Sequence, residues 1–257
     1  MQDVQYRGFK DRVVWVTGSS RGIGAAIARA FARHGARVAV HGRDAEAAGA
    51  VCRQIEEAGG RALAVLGELT SFAEVDALRG RVERELGPIE ILVANAGGGH
   101  APPGPIEELS EAGWHVSIDG NLTSTFLTLK SVLPGMKQRR AGNIITVSSA
   151  AGRRPNPRSP IAYAAAKAGL CLLTQDVAMQ VGEFGIRVNC IAPETILTER
   201  NQQRIPEVQK TMLVDLHPIK RLGTPDDIAD AALFLASESS AWVTGVVLDV
   251  AGGAVMV

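Results

Sequence analysis

Cysteine is scarce in this 257-residue chain, which holds only Cys52, Cys171 and Cys190. They lie far apart and show neither metal-ligand nor redox spacing, which argues against a disulfide scaffold or a thiolate metal site. An odd, unpaired set suits a reducing cytosol, with each thiol a small core residue. Net charge is absent as well. Lys+Arg and Asp+Glu are both 27, so no overall field draws in nucleic acid or an anionic membrane. No apolar run reaches the roughly 18 residues that span a bilayer. The polar start, MQDVQYRGFKDR, lacks the apolar segment of a secretory signal. A cytoplasmic protein is expected, with neither nucleic acid nor membrane as partner. The histidines, His100, His115 and His217 among them, have no carboxylate or cysteine cluster at ligand spacing. They read as solvated or loop residues, and no metal is expected.

What the chain does have is a globular balance, 46% hydrophobic and 21% charged, at a length that lets one domain bury a core. Strands are expected at Val13–Thr17, Arg37–His41, Ala62–Leu66, Ile89–Ala94, Asn143–Ser148, Arg187–Ile191 and Val246–Val250. Most are nearly continuous in Val, Ile, Leu and Ala, as strands covered on both faces are. Helical apolar spacing marks Ile23–His34, Ala45–Ala58, Phe72–Leu86, Glu107–Arg139, Ile161–Glu183 and Pro225–Ser237. The alternation predicts an α/β fold, a Rossmann-like doubly wound parallel sheet of about seven strands, with residues 1–257 as a single domain. Two stretches break the rhythm: GRRPNPRSP at Gly152–Pro160 and the polar Glu194–Pro218. Long loops at strand ends of such sheets carry function.

The first strand runs into Gly18-Ser19-Ser20-Arg21-Gly22-Ile23-Gly24 and then a helix. Glycines there permit a tight turn and let backbone N–H groups approach a pyrophosphate at the positive end of the helix. A dinucleotide is the expected ligand. An acidic residue after the second strand would hold a ribose 2′-hydroxyl. By spacing, Gly42 stands at that position and Arg43 follows it. Arg43, with Arg21 in the glycine turn, suits a 2′-phosphate and favours NADP(H). Asp44, one step further on, leaves NAD(H) open.

In order and spacing, TGSSRGIG (Thr17–Gly24), ANAG (Ala94–Gly97), Asn121 in DGNLTS, VSS (Val147–Ser149), YAAAK (Tyr163–Lys167), RVNCIAP (Arg187–Pro193), RLGTPDDIA and LASESSAWVTG cover nearly the whole chain. Together they resemble the compact, single-domain type of the short-chain dehydrogenase/reductase family, and the 3-oxoacyl-thioester reductases within it. The chemistry fits those residue types. Tyr163 and Lys167 are four apart on one helical segment, so their tips can meet. A nearby ammonium favours the phenolate and is expected to pull the tyrosine down from its reference value of about 10. The resemblance implies that Tyr163 exchanges a proton with the substrate oxygen, while Ser149 hydrogen-bonds that oxygen. It implies that Asn121 holds a water linking Lys167 to solvent, and that Lys167 also binds the nicotinamide ribose. Ser148 competes with Ser149 for the role, and Ser149 lies 14 residues before Tyr163, one more than is usual. The extra residue is expected to bulge in the Arg153–Pro160 loop.

Other cofactor contacts implied by the resemblance are Gly18, Ser20, Arg21, Gly22, Ile23 and Gly24 in the turn, Arg43, and Glu68 with Leu69 near adenine. Asn95, Ala96 and Gly97 would line the ribose and pyrophosphate path, and Pro193, Ile196 and Thr198 the nicotinamide. Glu194 replaces the usual glycine after Pro193. The activity implied is hydride transfer between a nicotinamide and a carbonyl or secondary alcohol carbon, foremost as an NADPH-dependent ketone or 3-oxoacyl reductase. Alternatives are an NAD(P)-dependent alcohol, sugar or steroid dehydrogenase and a non-catalytic dinucleotide sensor. A homotetramer is implied, built on Glu107–Arg139, Ile161–Glu183 and the chain end GGAVMV. An acyl-carrier protein as partner stays open. Arg139-Arg140 and Arg153-Arg154-Arg158 would suit its acidic surface, but Phe184 stands where carrier-dependent reductases have a basic residue. Residues 194–218 would form a substrate-selecting loop.

Overall fold

In a strand covered on both faces, successive side chains enter two different cores. The computed structural model follows that pattern. It describes residues 8–99 and 102–256; the expectations placed on residues 1–7, His100 and Val257 lie outside them. The strands β1 (Val13–Val16), β2 (Arg37–Gly42), β3 (Arg61–Leu66), β4 (Ile89–Ala94), β5 (Gly142–Val147), β6 (Ile186–Pro193) and β7 (Val247–Val250) form one sheet in the order β3-β2-β1-β4-β5-β6-β7. Every pairing is parallel. The helices are α1 (Gly22–Arg33), α2 (Ala45–Glu57), α3 (Phe72–Leu86), α4 (Glu111–Ile118), α5 (Ser124–Arg139), α6 (Ile161–Val181), α7 (Glu199–Arg204), α8 (Glu207–Asp215) and α9 (Pro225–Ala236). Val14 and Val16 of β1 pack with α1, α2 and α9, while Val13 and Trp15 pack with α3, α5 and α6. The expected doubly wound sheet is present. Because the strand order reverses between β1 and β4, the connections from these two strands continue to opposite faces of the sheet and leave a crevice at its carboxyl edge.

Two expectations change. The stretch Glu107–Arg139 is not one helix. It begins with a 3₁₀ turn at Ile106–Glu108, continues as α4 capped by Ser110, and widens to a π turn at Asp119–Thr123 before α5. The amide of Asn121 donates to the Ser117 carbonyl at 2.8 Å, the acceptor its own backbone N–H would use in an α-helix. Such side-chain competition opens the turn. The polar Glu194–Pro218 segment holds α7 and α8, each too short for apolar periodicity to reveal.

The side chain of Leu92, in the middle of β4, is fully buried. Leu92→Ala is expected to lower the unfolding free energy by about 2–5 kcal/mol, measured by urea titration. A loss below about 1 kcal/mol would mean a looser core than the structure shows.

Candidate active site at the sheet's carboxyl edge

The turn after β1 is braced from both neighbouring strands. Gly18 has φ +62, and a Cβ there would lie 2.7 Å from the Ala96 Cα, so only glycine lets this turn touch the loop after β4. Thr17 Oγ1 accepts from the N–H groups of Asn95 and Ala96, both at 3.1 Å. Asn95 donates its amide to the carbonyls of Thr17 and Gly18 at 3.1 and 3.0 Å. Asn95 therefore ties the two loops together. Helix α1 begins at Arg21 without a side-chain cap and without an acid in its first turn. Its first intrahelical bond runs from the Ala25 N–H to the Arg21 carbonyl. The N–H groups of Gly22, Ile23 and Gly24 thus precede the ladder at the positive helix end, a cradle fitted to an anion.

His41 is the contributor the sequence reading passed over. It is 4% exposed. Its Nδ1 accepts from the Gly18 N–H at 3.1 Å, and its Nε2 lies 3.1 Å from the Gly67 carbonyl. A carbonyl only accepts, so the ring is neutral with its proton on Nε2. Burial pushes its pKa below the ordinary 6.5. The imidazole fixes the glycine turn to β2 and to the loop after β3. Its chemistry was visible at the end of β2, but its partners lie 23 and 26 residues away in sequence.

Beside His41, a cavity of about 330 Å³ is lined by Ser20, Arg21, Arg43, Asp44, Glu68 and Leu69, among others. Gly42 has no room for a side chain, since a Cβ there would meet the Ser20 hydroxyl at 2.8 Å. Asp44 caps α2 and pairs with Arg21. The Ala47 N–H, then the Arg21 guanidinium, lower its pKa. Arg43 reaches Glu68 at 3.3 Å, both side chains being at least half exposed. Such surface pairs hold weakly.

A larger cavity of about 520 Å³ continues from the glycine turn to Ser149, Tyr163, Lys167, Pro193, Ile196 and Thr198. Ser149, Tyr163, Lys167, Pro193, Ile196 and Thr198 therefore share one cleft with the glycine turn; Ala96, Arg43, Glu68 and Leu69 line the neighbouring cavity, and Asn121 lines neither. Lys167 is 3% exposed; its Nζ donates to the Val147 carbonyl at 2.7 Å and sits 5.6 Å from the centre of the Tyr163 ring. Desolvation pulls its pKa down to about 8. The expected lowering of Tyr163 is not what this arrangement gives. Burial raises the phenol, and the hydrogen bond with Ser149 offsets only part of that. The Lys167 ammonium is turned to the Val147 carbonyl rather than to the phenol.

The two serines divide cleanly. Ser148 is buried and donates to the Lys167 carbonyl at 2.6 Å. Ser149 lines the cleft with Tyr163 and accepts from the Ala151 N–H at 3.2 Å. Asn121 is fully buried, its amide bound to both backbone groups of Gly98 at 3.0 Å. Its own carbonyl accepts from the Thr125 hydroxyl at 2.8 Å.

Three other readings are corrected. Arg153 forms a two-pronged bond to Asp249 at 2.9 and 3.2 Å, anchoring the loop after Ser149 to β7 instead of offering a basic entrance. Arg139 and Arg140 precede β5, at the end of the sheet away from the cleft, and donate to the carbonyls of Ile89 and Glu183. His217 is 2% exposed, with its Nε2 3.0 Å from a Glu194 carboxylate oxygen, not solvated, because α8 carries it into the interior.

Residues 18–255 match the family model described as enoyl-(acyl carrier protein) reductase. The chain belongs to the short-chain dehydrogenase/reductase family. It is 38% identical to a (2S)-[(R)-hydroxy(phenyl)methyl]succinyl-CoA dehydrogenase subunit of Thauera aromatica, covering 96% of this chain and 97% of that one. With the 7alpha-hydroxysteroid dehydrogenase of Escherichia coli it shares 40% identity over 93% and 92% of the two chains. A 3-oxoacyl-[acyl-carrier protein] reductase from Brucella melitensis, solved with bound NAD, superposes with TM-score 0.89 at 34% identity, covering 96% of this chain and 92% of the other. This short-chain dehydrogenase/reductase is an oxidoreductase acting on CH–OH and C=O groups and binds a nicotinamide dinucleotide.

Since His41 is held neutral, its stabilising effect on the turn is present above pH 6.5 and lost as the pH falls below that value. Dinucleotide affinity, measured by fluorescence titration, is expected to drop over that acid range. The drop should vanish in His41→Leu, which binds weakly throughout.

Proposed function

We propose that this enzyme is an NADP(H)-dependent carbonyl reductase whose catalytic group is Tyr163, assisted by Ser149, Lys167 and Asn121. The carrying observation is that Ser149, Tyr163 and the buried Lys167 ammonium line the same cleft as the glycine turn. Bound nicotinamide would supply hydride to the carbonyl carbon. Tyr163 gives its proton to the oxygen, and Ser149 donates a hydrogen bond to the same oxygen as negative charge develops there. The Lys167 ammonium stabilises the phenolate left behind and is placed to bind ribose hydroxyls. Asn121 holds Gly98, and with it the loop beside Lys167. The turn residues Gly18, Ser20, Arg21, Gly22, Ile23 and Gly24 take the pyrophosphate, with Asn95, Ala96 and Gly97 opposite; Glu68 and Leu69 take the adenine end. Pro193, Ile196 and Thr198 take the nicotinamide.

The NADP(H) preference is supported by Arg21 and Arg43 and by the space Ser20 denies to an acid at position 42. A phosphate dianion would draw both guanidiniums from their exposed carboxylate partners. The substrate class is a ketone or a 3-oxoacyl thioester. The names of the relatives favour a second reading, oxidation of a secondary alcohol as on a hydroxyacyl-CoA or a steroid. A homotetramer is supported by the exposed apolar side chains Phe126, Leu172 and Met179 on α5 and α6, and a cytoplasmic site by three buried free thiols.

Tyr163→Phe is expected to lower kcat by about 10²–10⁴-fold while leaving NADPH affinity within about twofold, measured by stopped-flow turnover and equilibrium titration. Undiminished turnover would remove the proton-donor role, and no turnover by the unaltered chain on a carbonyl panel would leave a dinucleotide sensor. Arg43→Ala should weaken NADPH by roughly ten- to hundredfold and NADH hardly at all. Equal losses would rule out the phosphate contact.

A further inference from the structure

The chain leaves β6 at Pro193, makes α7 and α8, and returns at residues 217–223. The two legs of this excursion are joined at a neck. The Leu197 N–H donates to the Gly223 carbonyl at 2.8 Å, the Gly223 N–H to Thr195 at 3.2 Å, and the Ile219 N–H to Gly252 at 3.0 Å. Residues 199–215 are thus a flap with a fixed base, and its first leg lines the catalytic cleft through Glu194, Ile196 and Thr198.

A side-chain polar contact crosses the neck. Glu194 Oε2 lies 3.0 Å from His217 Nε2 and also accepts from the Thr195 N–H. His217 Nδ1 lies 2.7 Å from the Leu213 carbonyl, in the last turn of α8. Both ring nitrogens therefore face oxygen acceptors. A carbonyl takes only a donor, so Nδ1 carries a proton, and the contact to Glu194 is bonded only when a second proton lies between carboxylate and ring. Two further ion pairs stand on this side, Arg221 with Asp227 and Arg153 with Asp249, while Glu199 and Arg200 line the cleft beside Glu194. The pair is also a wall. Glu194 borders the catalytic cleft on one side and, with His217, a separate cavity of about 330 Å³ on the other.

We propose that Glu194 and His217 form a proton-bridged latch that holds the α7–α8 flap closed over the substrate end of the cleft, making both of them positioning residues for the reaction. The latch rests on the carbonyl-reductase reading of the cleft only for its kinetic consequence. A flap that is closed less often lowers the share of binding-competent enzyme and raises the apparent KM in proportion. Glutamine at 194 keeps only one of the two contacts made at Oε2, because an amide nitrogen there donates to a neutral His217 Nε2 but loses the Thr195 N–H, while an amide oxygen keeps Thr195 and loses His217.

The test uses the full chain as Glu194→Ala, Glu194→Gln and His217→Ala beside the unaltered protein. Each is assayed at saturating NADPH against the ketone reduced fastest, then digested by a protease with neither nucleotide nor substrate present. Glu194→Ala and His217→Ala should raise the ketone KM by about tenfold, as expected if closure falls to about a tenth, with kcat changing less. Cutting within residues 199–215 should quicken in both. Glu194→Gln should fall between the alanine variant and the unaltered protein in both readouts. A glutamine variant as impaired as the alanine one, or cutting unchanged in all three, overturns the latch. So does a KM rise that merely follows a drop in melting temperature. Digestion needs no turnover, so a chain that reduces no ketone would refute the reading of the cleft while the latch is still decided by the cutting pattern.

Discussion

An ammonium withdrawn from water has to be held by something, and at Lys167 it is held by a backbone carbonyl at the end of β5 and by the face of the Tyr163 ring. Around these contacts the surrounding elements fall into place. Ser148 fixes the Lys167 backbone from the same strand end. The 3₁₀ turn after Ser149 presses so closely on α6 that a Cβ at Gly152 would come within 2.5 Å of the Lys167 carbonyl carbon. A Cβ at Gly97 would collide with the Asn121 amide and come within 3.4 Å of the Lys167 Nζ. Lysine, asparagine and both loops are therefore packed as one unit, and desolvation of the ammonium follows from that packing.

The dinucleotide end is built differently. Its parts are backbone groups and small side chains, tied by Ser19, His41 and Asn95. The charged residues around it are paired at the surface and free to exchange partners. A rigid cradle for the phosphate path and a labile ring of charge around the ribose suit a ligand that must come and go.

Much of this was legible from the chain alone. The seven strands declared themselves because parallel strands are apolar on both faces, and the cleft residues because their types and spacing repeat a family pattern. What stayed hidden depends on partners distant in sequence. His41 looked like the last residue of a strand, and its role appears only once Gly18 and Gly67 are folded around it. The π turn at Asn121 interrupts an otherwise continuous helical pattern through one side-chain hydrogen bond. Arg153 read as a surface cation because its partner, Asp249, lies 96 residues further on. The direction in which the Tyr163 pKa moves was hidden for a similar reason: four-residue spacing brings two side chains close, but it does not say which way an ammonium points.

The crowding of Gly42 against Ser20 also bears on how nucleotide choice can change in descendants of this chain. A carboxylate at the end of β2 and a hydroxymethyl group in the glycine turn compete for one volume. An acid introduced at position 42 therefore requires the Ser20 side chain to shift or to be replaced by a smaller one.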